Sequence, residues 1–371
     1  MSTPVTVAPS SVSARQTALP MNPPAPVTAA LRPWNRRESL TGPTIYSPDF
    51  EDPPTPVSWS PRRRRSGLGT AVRAAAIGAL AAGVLVPLVR KRLRIPKPVT
   101  VASVAAAPAA LAVLYPRSNK RDVTLFVLQM WAFTVLHELP YDDPEALRRR
   151  LRVQYPIRAD RAIGGGELPT ARLQRALASD DGPSLLDRVL TIAHWAWFVE
   201  PHLTLALILA RDRDRFPRAA WQMAAAYDVG CAIYAAVPTA PPWWAAEHGY
   251  SATRLRRIMV EVGEPLWGRA WPRMYESLGG NPWAAMPSLH FGTSVLAAIL
   301  LSETGPVEGA AGWAYAATLG FALVYLGEHY VVDLAAGAAL VAGVRFAEPR
   351  LKPVTDMLSR GVQGLERLAA G

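Results

Sequence analysis

The sequence predicts an all-α polytopic membrane protein with a six-helix transmembrane core and a weaker N-terminal apolar helix pair. Half of the 371 residues are apolar, and they gather into blocks of roughly 17–24 residues with few charges, the length a helix needs to cross about 30 Å of hydrocarbon. Blocks such as FVLQMWAFTVL (126–136) and VLVPLV (84–89) are hydrophobic on every side, whereas a helix on a soluble protein shows one apolar stripe. The net charge of +11 sits in short runs between these blocks, as at 62–65 and 90–94. A membrane protein keeps its topology signals and headgroup contacts there, so the basic balance points to a lipid bilayer and not to nucleic acid. The single cysteine, Cys231, lies inside an apolar block, which excludes an intramolecular disulfide and a cysteine metal cluster.

Residues 1–66 form a separate regime. Thirteen of the first 61 residues are proline, and no apolar period appears, so the segment is expected to be a disordered cytoplasmic tail that could recruit a protein partner. It lacks the apolar run that would mark a signal peptide. A helix pair is expected over 67–118, a catalytic membrane domain over 119–349, and a short cytoplasmic helix over 350–371. The apolar blocks fall at roughly 67–89, 98–115, 121–139, 187–210, 216–238, 287–303, 309–326 and 329–347.

Short basic loops mark the inner face. The loops at 116–122 and 211–218, and the basic residues beyond Arg345, belong inside, which places both termini in the cytoplasm. The long loops 140–186 and 239–286 then share the outer face of the cell membrane. The basic loop 90–97 also falls outside by this count, which suits a re-entrant or interfacial first pair. In the outer loops, 145–152 reads as a basic helical face and 168–177 as a short amphipathic helix, both suited to the headgroup layer. The second loop opens on a proline-rich turn carrying Trp243 and Trp244, at the depth where tryptophan concentrates.

Two of the six histidines stand in unusual settings. His290 closes the run Met286-Pro287-Ser288-Leu289-His290 at the first turn of an apolar block, where Pro287 suits the opening helical position and free amides make an anion site. His329 opens the last block, and Asp333 follows at i+4, on the same helix face. A carboxylate there holds an imidazole in one tautomer and stabilises its charge. Counting spans brings both histidines to the mouths of two like-oriented helices at the outer face. Two imidazoles and one carboxylate suit phosphoryl transfer through a phosphohistidine, with one histidine attacking phosphorus and the other protonating the leaving oxygen. The spacing is not a specific zinc pattern. His194, Glu200, His202 and Asp228 lie within apolar blocks, where buried ionisable groups are functional candidates; pairing of Asp228 with His202 or His194 is the structural expectation, and a proton-relay or headgroup-binding role is the alternative. His137 and His248 read as solvated.

Residues from about 119 to 349 resemble the type-2 phosphatidic acid phosphatase superfamily, in the branch of inositol phosphorylceramide synthases and their bacterial relatives. The matching stretches are 238–244, the run Asn281 to His290 with Phe-Gly-Thr-Ser after it, and His329-Tyr330-Val331-Val332-Asp333 with Leu-Ala-Ala-Gly337. Residues 160–174 resemble the first outer loop of that branch, and 198–203, with His202, also look similar. The resemblance implies His329 as nucleophile, Asp333 as its orienter, His290 as general acid, a six-helix core and no cofactor or metal. It departs from the phosphatases in two ways: no early Lys and Arg motif is evident, and Leu323 stands where they carry an Arg six residues before the second His. Phosphate would then be held by Arg254, Arg256 or Arg257, or by Arg158 and Arg161, with Ser288, Tyr330 and His202 as further candidate contacts. The transferase branch shares this absence. A lipid phosphotransferase is therefore the first expectation, a lipid phosphate phosphatase its close variant, and a membrane scaffold working through the tail the reading from a different class.

Overall fold

The computed structural model describes residues 67–179, 181–271 and 280–370, so the expected tail over 1–66 lies outside the described residues. Two apolar helices come first, α1 (Gly67–Val89) and α2 (Lys97–Leu114), followed by α3 (Asn119–Glu138). Short helices α4 (Pro144–Arg148), α5 (Gln154–Ile163) and α6 (Pro169–Leu177) fill the first long loop. The core continues with α7 (Leu185–Ala196), α8 (Glu200–Arg211) and α9 (Phe216–Ala236). The second long loop holds α10 (Pro242–Glu247) and α11 (Ile258–Trp267). The final helices are α12 (Leu289–Ser302), α13 (Pro306–Tyr325) and α14 (Val331–Ala370). No strand occurs among the described residues; Thr239 alone bridges to Arg152 and Ala284.

This architecture bears out the all-helical membrane prediction. Four helices, α1, α2, α3 and α13, are long and apolar enough to cross a membrane, and α7 with α8 passes the same test as a pair bent by 52°. The expected single block over 187–210 is therefore broken. Pro201 stands at the start of α8, where it cannot continue an upstream helix because it lacks an N–H and clashes with the preceding turn. Large apolar side chains on α1, including Leu68, Ile77, Leu85 and Leu88, stay exposed, the pattern of a surface solvated by lipid tails.

Helix α12 lies at the centre, packed against α8, α9, α13 and α14. Glycines let the backbones close in. A Cβ on Gly337 of α14 would stand 2.3 Å from the Ser288 carbonyl oxygen, and one on Gly292 of α12 would stand 2.9 Å from that of Gly337. Small residues at such crossings substitute for the hydrophobic driving force that lipid removes. Leu323 is fully buried in the core cluster with Leu289, Leu296 and Met223.

The N-terminal pair is integrated with the core. Helix α2 packs on α3, and both α1 and α2 touch α14. Arg90, just past α1, is buried and donates to Asp142 at 2.8 Å and to Glu138 at 3.1 Å, while Lys91 pairs with Asp142 at 3.2 Å. The basic loop 90–97 therefore lies at the same end as 138–142, its charge met by two carboxylates. The helix expected over 350–371 is the continuation of α14, which runs on through Pro349 and Pro353.

Candidate active site

The mouths of α12 and α14 are built by caps. Ser288 precedes α12 and its hydroxyl accepts from the Phe291 amide, so Ser288, not Pro287, is the entry residue. Tyr234 of α9 donates its hydroxyl to the Pro287 carbonyl at 2.7 Å and accepts from the Leu289 amide at 3.3 Å. The Ser288 amide donates to the Asp333 carbonyl at 2.9 Å, tying the two helix mouths together. Of the amides expected to receive an anion, those of Ser288, Leu289 and Phe291 thus already serve protein groups, as buried N–H groups must find partners.

Helix α14 starts at Val331, so His329 sits just outside it and meets Asp333 across the entry turn. The turn follows Gly327, whose φ of +79° reverses the chain after α13, with the Glu328 and His329 amides both donating to the Leu323 carbonyl. A glycine past a helix end takes this left-handed conformation without a Cβ penalty. Asp333 reaches back to accept from the Tyr330 amide at 2.8 Å, the reciprocal half of a capping box. The next two amides, Val331 and Val332, donate to the two oxygens of Asp160 at 2.9 and 3.0 Å. Burial pushes the Asp160 carboxyl above its ordinary pKa, and these two amides act in the opposite sense. Asp160 thus anchors α5, in the first long loop, to the start of α14. The 160–174 stretch contained this residue, but nothing in its spacing pointed to the amides it caps.

The three candidate catalytic residues come together. His290 Nδ1 lies 3.3 Å from His329 Nε2, and His329 Nδ1 lies 3.4 Å from Asp333 Oδ2. The second contact is close but lacks hydrogen-bond geometry. Asp333 is fully buried and His329 almost so. Trp197 lies against the His290 ring, with centroids 4.1 Å apart, and is fixed by its indole N–H donating to Thr293 at 2.8 Å. His194 meets the same ring at 4.8 Å. Neither Trp197 nor His194 was legible as a neighbour of His290, since their approach depends on the break between α7 and α8.

His194, Trp197, His290 and His329 line a cavity of about 790 Å³. Its wall is largely aromatic, with Trp195, Trp197, Trp243, Trp244 and Tyr234 among the lining residues. Of the residues expected to hold phosphate, Arg257 and His202 line it. Arg257 lies over the Trp243 ring at 3.8 Å and pairs with Glu247 at 3.2 Å; His202 is exposed and edge-on to Phe126. The others do not line it. Arg256 is engaged by Glu261 and the Ser179 carbonyl, and Arg254 is exposed. Arg158 borders a separate cavity of about 320 Å³ with Arg148 and Arg152, and Arg161 is half-buried on α5. Ser288 and Tyr330 are buried behind the helix mouths.

Two further expectations are corrected. Asp228 accepts from Gln129 at 2.8 Å instead of pairing with a histidine, because α3 and not α8 faces it. His137 is half-buried on the cavity wall between Phe133 and Tyr234, whereas His248 is exposed and stacks on Trp244 at 3.9 Å. Among the described residues no group of three or more His, Cys, Asp or Glu is arranged around a common point for a metal ion.

Fold and site together define a helical membrane protein whose cavity carries two facing imidazoles backed by a carboxylate. Residues 177–347, somewhat less than half of the chain, match the family model of the PAP2 superfamily. No curated protein and no solved structure matches the chain.

Proposed function

We propose that this chain is a membrane lipid phosphotransferase that moves a phospho-headgroup from a phospholipid to an alcohol-bearing lipid through a phosphohistidine. The observation that carries it is the facing pair His290 Nδ1 and His329 Nε2 at 3.3 Å, with Asp333 behind His329. In the first step, the His329 Nε2 lone pair attacks phosphorus and forms a P–N bond. The P–O bond to the leaving diacylglycerol-type alcohol breaks, and His290 gives that oxygen a proton. In the second step, His290 takes the proton of the acceptor alcohol, whose oxygen attacks phosphorus and displaces His329. Asp333 offsets the positive charge that His329 carries while phosphorylated.

The match to the PAP2 superfamily supports phosphoryl chemistry on a lipid. Two features support transfer over hydrolysis and the inositol phosphorylceramide synthase-like branch. Leu323 places a core side chain where the resembling phosphatases carry an Arg. The cavity is aromatic and, at about 790 Å³, sits in the upper range for sites that enclose a whole ligand. The basic inner loops support both termini in the cytoplasm and the catalytic histidines at the outer face of the cell membrane.

The test is release or transfer of labelled headgroup from a phospholipid panel by purified wild-type protein and His329→Ala, with and without an acceptor lipid. Transfer by wild type, none by the variant, and an acid-labile phosphoprotein in wild type alone are the expected results. Equal inertness of both proteins across a broad panel would falsify the enzymatic reading, while release without transfer would convert it to a hydrolase.

A further inference from the structure

All six histidines of the sequence line the cavity of about 790 Å³. Among the described residues, Arg257 is the single Arg or Lys side chain on its wall, and that group is already engaged by Glu247 and Trp243. A phosphoryl group brings negative charge that concentrates on its three equatorial oxygens during transfer. His329 is placed to approach phosphorus, and His290 the leaving oxygen. The equatorial oxygens still require donors aimed at them, the largest usual source of transition-state stabilisation.

His194 has the position for that task. It projects from α7 and is 95 % buried, at 5 % relative exposure, yet it forms part of the cavity wall. Its ring lies 4.8 Å from His290, tilted by 31°, and His290 in turn lies 5.4 Å from His329. The three imidazoles therefore follow one another along the wall. The His194 Nδ1 is buried with no hydrogen-bond partner. The two backbone carbonyls beside it are engaged: that of Ala193 accepts from Tyr315, and that of His194 accepts from the Trp197 amide. A neutral imidazole carries one donor and one acceptor, and leaving such a group unsatisfied in a buried place is costly. Buried polar groups are as a rule hydrogen-bonded, and an orphan of this kind calls for a partner such as a water, an ion or a bound group.

We infer that His194 is a third phosphoryl ligand, donating an N–H to an oxygen of the phosphoryl group that His329 takes up. This rests on the phosphotransferase reading for its biological substrate, but the ligand chemistry is that of a tetrahedral phosphoryl oxyanion whatever lipid supplies it. His194 takes no part in bond making. It holds the oxygens and compensates for the arginines that the resembling phosphatases supply.

The experiment uses full-length protein in detergent micelles and orthovanadate as the probe. Binding is followed by intrinsic tryptophan fluorescence, since five of the twelve tryptophans line the cavity, and headgroup turnover is measured on the same preparations. His194→Ala is expected to weaken vanadate binding by about 10-fold or more, the scale of one charge-assisted hydrogen bond. His194→Gln, which restores an N–H donor on a side chain of comparable reach, is expected to recover part of that loss at an unchanged melting temperature. Wild-type affinity in His194→Ala overturns the inference, as does a loss shared equally by both variants together with a lowered melting temperature, which makes His194 a packing residue. Wild-type protein that binds vanadate but turns over no lipid would sink the transferase reading and leave this one standing. An active wild type whose vanadate affinity ignores His194 does the reverse.

Discussion

Asp333 holds two jobs through one oxygen. Its Oδ2 accepts the Tyr330 amide at 2.8 Å and faces His329 Nδ1 at 3.4 Å, while Oδ1 has no partner. Asparagine at this position can keep its carbonyl oxygen in the Oδ2 place and turn its amide nitrogen to the unpartnered side. The cap survives such a swap, the negative charge is lost, and the new amide N–H groups find no acceptor on that side. Asp333→Asn is therefore expected to lose about 1–3 kcal/mol of stability and stay folded while kcat falls on the order of 10² to 10⁴, the range for losing the carboxylate behind a catalytic imidazole. Turnover near the wild-type level would remove Asp333 from the mechanism. The His329 and Asp333 spacing was visible in the sequence, but it suggested a shared helix face. The contact instead crosses an entry turn, because Gly327 and the Leu323 carbonyl hold His329 outside α14.

At the scale of elements, the site depends on how closely α12 and α14 cross. Gly337 lies over the Ser288 carbonyl, two residues before His290. An added Cβ cannot be absorbed by a flexible side chain there, since the atom it meets is backbone. Gly337→Ala is expected to push the helices apart, costing about 1–3 kcal/mol as overpacking does, and to widen the separation of His290 from His329. Gly343, further along the same helix, has nothing within 4 Å of an added Cβ. Gly343→Ala is expected to be neutral or to stabilise by up to about 1 kcal/mol through helix propensity. Melting temperatures and turnover measured side by side check the pair, and equal behaviour of the two variants would count against the crossing as the determinant. A Leu-Ala-Ala-Gly run following Asp333 could be seen as part of a motif; which backbone its glycine approaches could not.

For the molecule as a whole, the N-terminal helices are bound to the core by charge as well as by apolar contact. Arg90 bridges the end of α1 to Glu138 and Asp142 beyond α3, and at the other end Arg121 pairs with Glu366 of α14 at 3.3 Å. Removing one member of a buried pair leaves its partner uncompensated, which costs several kcal/mol in full burial. Lys91 still faces Asp142, so Arg90→Ala is expected to cost about 3 kcal/mol at most. A thermal melt should show the loss while headgroup turnover at low temperature persists, since Arg90 itself does not line the cavity and of its partners only Glu138 borders it. An unchanged melt would mean that the pair is held by apolar packing alone.

The sequence by itself determined that the chain is helical and apolar enough for a bilayer, because helix length and all-round hydrophobicity are local properties of each block. It also singled out His290, His329 and Asp333, since polar groups at the mouths of apolar helices stand out against their surroundings. Tertiary structure alone decided that α7 and α8 part at a break and bring His194 and Trp197 against His290. It decided that Asp160 caps α14 from 171 residues away in the chain, and that only Arg257 of the candidate arginines reaches the cavity wall. These are non-local facts: each joins segments far apart in the chain, and no periodicity or spacing within one segment records which partner it will meet.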